Sequence, residues 1–136
     1  ARQCLDMLAQ NDWPVVVQTR SPLVLRDLDI LSKGKDFEVG LSVTTADDGI
    51  RKLFEPHAPP IKERIRALDE LHRAGIRTYA MIAPILPGAE GLAEILAGKV
   101  DHRRNPLFWK QAILLPFQAL SKKVTSLRLI PVPEYM

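Results

Sequence analysis

Two rhythms alternate along the chain: short runs of β-branched residues, and longer stretches whose apolar residues stand three or four apart. The alternation predicts strands separated by helices. The first run, Val15-Val16-Val17-Gln18-Thr19, reads as a strand covered on both faces in a parallel sheet. Ser21-Pro22 then supplies a helix cap and a proline suited to the first helical position. Val24, Leu25, Leu28 and Leu31 repeat at helical spacing toward Gly34, a plausible C-cap. A second strand covers Phe37 to Thr44, and Thr45 with Asp48 three residues later has capping-box spacing for a short helix ending near Phe54.

Glu55-Pro56-His57-Ala58-Pro59-Pro60 is too rich in proline for a regular element and reads as a stiff connection. Beyond it, Ile61, Ile65, Leu68 and Leu71 form one apolar stripe of a helix that Gly75 terminates. A third strand, Arg77 to Ala83, enters Pro84-Ile85-Leu86-Pro87-Gly88, after which Leu92, Ile95 and Leu96 predict a helix ending at Gly98. Three successive strand–helix units imply an α/β fold with a parallel sheet and right-handed crossovers. Periodicity alone leaves open whether the sheet is flat or an arc of a barrel.

The pattern changes after Val100, where Asp101-His102-Arg103-Arg104 is charged and the next buried strand would be expected. The expected division is therefore a partial (β/α) barrel over residues 1–101 and a divergent segment, 102–136, packing on it or on a partner. Within that irregular or helical tail, Asn105-Pro106 opens an apolar helix reaching Leu115, and residues 124–133 read as an edge strand.

Composition narrows the classes of function. A chain of 136 residues with 46% apolar content can bury one core without disulfides. Its one cysteine, Cys4, permits no internal disulfide and no site built from several thiolates, which fits a cytoplasmic setting. No stretch reaches the roughly 18 apolar residues of a membrane span, so no membrane association is expected. The net charge of +3, from 19 basic and 16 acidic residues, describes a mixed surface more than a nucleic-acid footprint. His57, His72 and His102 lack metal-ligand spacing with one another or with Cys4, and no glycine-rich phosphate loop is present.

Three segments carry a family resemblance: Val17-Gln18-Thr19-Arg20-Ser21-Pro22-Leu23, Gly40-Leu41-Ser42-Val43-Thr44-Thr45, and Ala83-Pro84-Ile85-Leu86-Pro87-Gly88. The connection Leu53-Phe54-Glu55-Pro56-His57-Ala58-Pro59, followed by Glu63-Arg64-Ile65 and Ala74-Gly75-Ile76, adds to it in the same order. Together they resemble the later barrel strands of spore photolyase-like radical S-adenosylmethionine (SAM) proteins, over residues 12–101. The resemblance implies a TIM-like barrel, SAM as cofactor, and a 4Fe-4S cluster that splits SAM into methionine and a 5′-deoxyadenosyl radical. The family holds that cluster on a Cys-x3-Cys-x2-Cys loop, which this sequence lacks. The chain is therefore expected to be inactive alone, with the loop and the remaining strands lying upstream of Ala1 or on another chain; the alternative is a degenerate homologue. Spore photolyase acts on a DNA lesion, which makes nucleic acid a candidate substrate, but the wider family shares these barrel motifs without implying that substrate.

The resemblance also implies that Arg20 and Ser42 hold the amino-acid end of SAM, Arg20 standing where the family more often has lysine. A guanidinium at a strand's C-terminal end suits a carboxylate, and barrels bind ligands at that end. The competing readings are a surface arginine paired with the acidic helix containing Asp27, and a small serine that permits close packing. Thr44, Thr45 and Pro84 lie at similar strand ends, where Thr45 is equally a helix cap. Glu55 and Arg64 read as an exposed ion pair worth about 0–1 kcal/mol. Lys99, His102, Arg103, Arg104 and Lys110 beside Phe108 and Trp109 form a local basic cluster. A non-catalytic α/β binding or interaction domain is the rival to an enzyme fragment. Unpaired sheet edges further predict homodimerisation or cover by the tail.

Overall fold

Short runs rich in Val, Thr, Leu and Tyr form three strands, β1 (Val15–Thr19), β2 (Phe37–Ser42) and β3 (Arg77–Met81), in a computed structural model that describes residues 1–101. The readings for residues 102–136, with their helix, edge strand and basic cluster, lie outside the described residues. The strands pair in parallel in chain order, β1-β2-β3. Val17 stands opposite Val39 and Val39 opposite Thr78, so one face carries Phe37, Val39, Leu41, Thr78 and Ala80, all buried.

The helices are α1 (Arg2–Gln10), α2 (Leu28–Leu31), α3 (Asp48–Phe54), α4 (Ile61–Arg73) and α5 (Leu92–Leu96). Helix α4 packs on β2 and β3 through the expected stripe, with Ile61, Leu68 and Leu71 buried and Ala67 beside them. Gly75 follows in the left-handed conformation, φ +80°, which lets the chain leave the helix for β3. Helix α1, which the pattern reading passed over, packs on α2. Arg2 fixes it there by reaching Asp29 at 2.6 Å and Asp27 at 3.1 Å.

Several local expectations are corrected. After Ser21 the chain forms a 3₁₀ turn (Pro22–Asp27) before α2, so no single helix runs to Gly34. The Ser21 hydroxyl does accept the Leu23 amide, as a cap should. The cap of α3 is Asp47, whose carboxylate accepts from the amides of Gly49 and Ile50. Thr45 cannot serve there because its hydroxyl is engaged elsewhere. β1 is not covered on both faces: Val16 is 63% exposed among the described residues. The face opposite the helices carries Val16, Gln18, Glu38, Gly40, Ser42, Tyr79 and Met81. Its best-packed point is Tyr79 over Gly40, where a Cβ would fall 2.1 Å from the ring.

Candidate functional site

Because the strands are parallel, their C-terminal ends, Thr19, Ser42 and Met81, share one edge of the sheet. Polar groups gather there. Arg64 lies one turn into α4, three residues after Ile61 and four before Leu68, which places it in the apolar stripe and buries its side chain completely. All three of its nitrogens are used. Nε donates to the Pro59 carbonyl at 2.9 Å, Nη1 to the Ser42 carbonyl at 3.0 Å, and Nη2 to Glu55 Oε2 at 2.7 Å.

The other carboxylate oxygen of Glu55, Oε1, stands 3.9 Å from Arg20 Nη1, a charge contact and not a hydrogen bond. Glu55 is 11% exposed and Arg20 59%. Arg20 and Ser42 are thus joined through Glu55 and Arg64, Ser42 by its main chain. Asp27, the other partner considered for Arg20, is held by Arg2 and Arg26. Arg20 and Glu55 line an open cleft of about 280 Å³ with Phe54 and His57. Two guanidiniums against one carboxylate leave positive charge over, which suits an anionic ligand.

The connection that presents Glu55 is held from two sides. While Arg64 takes the Pro59 carbonyl, the buried Arg51 donates to the carbonyls of Glu55 and Ala58 at 3.2 and 2.8 Å. Arg51 also grips the Asp48 carboxylate at 2.8 and 3.1 Å, and the Ile61 amide donates to the same group. Those donors, Arg51 first and Ile61 second, hold the Asp48 carboxyl below its ordinary range.

Beyond β2 and β3 the two following segments are laced together. Val43 N donates to Met81 O at 2.9 Å, Leu86 N to Thr44 O at 3.0 Å, and Ala46 N to Gly88 O at 2.9 Å. The Thr45 hydroxyl donates to Pro87 O at 2.6 Å and accepts from Asp47 N. Gly88 fits because its φ of +81° favours glycine and a Cβ would fall 2.9 Å from Thr45 Oγ1. The Thr44 hydroxyl is buried in this region and has no hydrogen-bond partner among the described residues. A bound ligand or water is the ordinary companion of such a group.

The sequence profile of the radical SAM superfamily matches residues 2–91. The chain belongs to the radical SAM superfamily. As a radical SAM chain it is similar to the uncharacterized protein MJ0683 of Methanocaldococcus jannaschii, 42% identical over 71 residues that cover 52% of this chain and 27% of the relative. It is also similar to the uncharacterized protein ORF301 of Acidianus two-tailed virus, 38% identical over 88 residues that cover 64% of this chain and 29% of the relative. The chain thus spans little more than a quarter of these curated relatives. No solved structure matches it.

Radical SAM proteins use SAM with a 4Fe-4S cluster. The residues of this chain do not fit the cluster, since each protein-bound iron needs its own thiolate and Cys4 is the sole cysteine. Among the described residues no group of His, Cys, Asp and Glu is arranged to hold a metal ion. The SAM amino-acid end is a better match, with positive charge in excess at the strand ends and a partnerless hydroxyl nearby in sequence. No helix among the described residues is long and apolar enough to cross a membrane.

Proposed function

We propose that this chain is the SAM-holding arc of a radical SAM enzyme of the spore photolyase-like type, in which Arg20 and Ser42 bind the methionine carboxylate. The observation that carries the reading is the excess of guanidinium over carboxylate at the C-terminal ends of β1 and β2. An arginine there can make two charge-assisted hydrogen bonds to a carboxylate, and the Ser42 hydroxyl adds a neutral one.

In this reading the outer edges of β1 and β3 receive the rest of a barrel, from the same protein or another chain. The cluster belongs to cysteines outside these 136 residues, so the chain alone binds and orients but generates no radical. Nucleic acid is the substrate class proposed for the whole protein, by analogy with spore photolyase. Anisotropy titration with single-stranded and duplex DNA tests that part, and binding that is absent at low salt would remove it.

The main test compares this chain with a longer form carrying a Cys-x3-Cys-x2-Cys loop, by iron analysis and SAM calorimetry. Iron on the longer form alone, with SAM bound by both and lost on Arg20→Gln, is the expected result. SAM bound by neither returns the chain to the rival reading, a non-catalytic α/β binding domain.

A further inference from the structure

The connection between α3 and α4 is held more firmly than a surface loop requires. Buried Arg51 takes the carbonyls of Glu55 and Ala58, buried Arg64 takes that of Pro59, and Pro56, Pro59 and Pro60 restrict the backbone. Yet what this rigid segment carries is apolar and open to solvent. Leu53 is 76% exposed and Phe54 60%, and Pro56 and His57 are exposed after them. A ring left in water gives the fold little. On a segment already ordered it suits recognition, because the entropy of ordering is not lost again when a ligand arrives.

Charge selects the partner. From Gly49 to Lys62 the one acidic residue is Glu55, and the buried Arg64 meets its charge at 2.7 Å. The exposed basic residues of the same stretch are Lys52, His57 and Lys62, and Arg20 lines one cleft with Phe54 and His57. A polyanion that also carries flat apolar rings matches both properties. Single-stranded nucleic acid is such a polymer, since its unpaired bases offer faces that a duplex keeps stacked. We propose that the α3–α4 connection is a platform for a nucleic-acid single strand, Phe54 stacking on an unpaired base and Lys52 and His57 taking flanking phosphates. This rests on the nucleic-acid reading of the whole protein and adds the place of contact and the kind of strand. Arg20 directly follows β1, so a strand lying in this cleft passes the edge of the sheet where the polar groups gather.

The test is anisotropy titration of the full chain with a labelled thymidine strand of about ten nucleotides, an abasic strand of the same length and the duplex, repeated on Phe54→Ala, Phe54→Leu and Lys52→Gln. The wild-type chain should bind the thymidine strand about tenfold more tightly than the abasic one, the scale of one stacked base. Both Phe54 variants should lose that preference and keep the abasic affinity, since leucine retains bulk but has no ring. Lys52→Gln should weaken both strands and reduce the salt slope by about 0.7. A wild-type chain that binds the abasic strand or the duplex as tightly overturns the inference without recourse to any variant. A preference that survives in both Phe54 variants also overturns it, while the nucleic-acid reading stands. Displacement of the thymidine strand by polyglutamate at equal charge concentration makes the partner an acidic polypeptide and removes the platform. If no strand binds at low salt, the inference and the nucleic-acid reading both fall.

Discussion

Arg64 and Glu55 form a 2.7 Å ion pair in which the arginine has no exposed surface and the glutamate very little. Removing one partner of such a pair strands a buried charge and the carbonyls that shared it. Arg64→Ala should therefore destabilise the chain by about 3–5 kcal/mol. Arg64→Lys should recover only part of this, since an ammonium cannot reach Pro59, Ser42 and Glu55 in the fork geometry of a guanidinium. Urea unfolding of the two variants decides it, and equal stability of Arg64→Ala and wild type would show that the network is not structural.

The Tyr79 ring occupies the space where a side chain at Gly40 would stand. Gly40→Ala should cost about 1–3 kcal/mol through overpacking. The double change with Tyr79→Ala should cost less than the sum of the single ones, because the smaller residue at 79 vacates that space. Denaturant midpoints of the four proteins provide the cycle, and strict additivity would contradict the contact.

Asp48 has its carboxyl held below the usual value of 3.8 by Arg51 and the Ile61 amide. A group depressed in the folded state stabilises it above the unfolded value, and that contribution fades as pH falls through the lower folded value. Stability should thus decline on acidification below about pH 4, and Asp48→Asn should flatten part of that decline. Urea midpoints between pH 6 and 2 would show it, and identical slopes would assign the acid sensitivity to other carboxylates, such as Asp29 beside Arg2.

Thr44 and Thr45 are adjacent and buried but should respond in opposite directions. The Thr44 hydroxyl, without a partner among the described residues, predicts that Thr44→Val is neutral or slightly stabilising, within about 1 kcal/mol. Thr45→Val should cost about 1–3 kcal/mol by abandoning Pro87 O and Asp47 N. A marked loss on Thr44→Val in thermal melts would reveal a water or protein partner for its oxygen.

The strands and α4 were legible because their signals are local: β-branched runs, the stripe from Ile61 to Leu71, and Gly75 at its end. The family resemblance likewise rested on contiguous motifs. What escaped the sequence reading depends on distant partners. The amphipathic spacing of Leu5, Leu8 and Ala9 was there to be read, but the anchoring of α1 through Arg2 on Asp27 and Asp29 joins residues some 25 positions apart. The Thr45 hydroxyl lost its capping role to a carbonyl 42 residues away, leaving Asp47 to cap α3. The Glu55–Arg64 pair was anticipated but as an exposed one. That Arg64 falls at the third position after Ile61, within the buried stripe, was the available sign that it would be enclosed.

Because each strand lies beside its immediate predecessor in the chain, the sheet grows by addition at one edge only. A polypeptide emerging from the ribosome can dock every new strand on the last without waiting for a later one to be inserted between them. This arrangement favours assembly in the order of synthesis, β2 docking on β1 and β3 on β2.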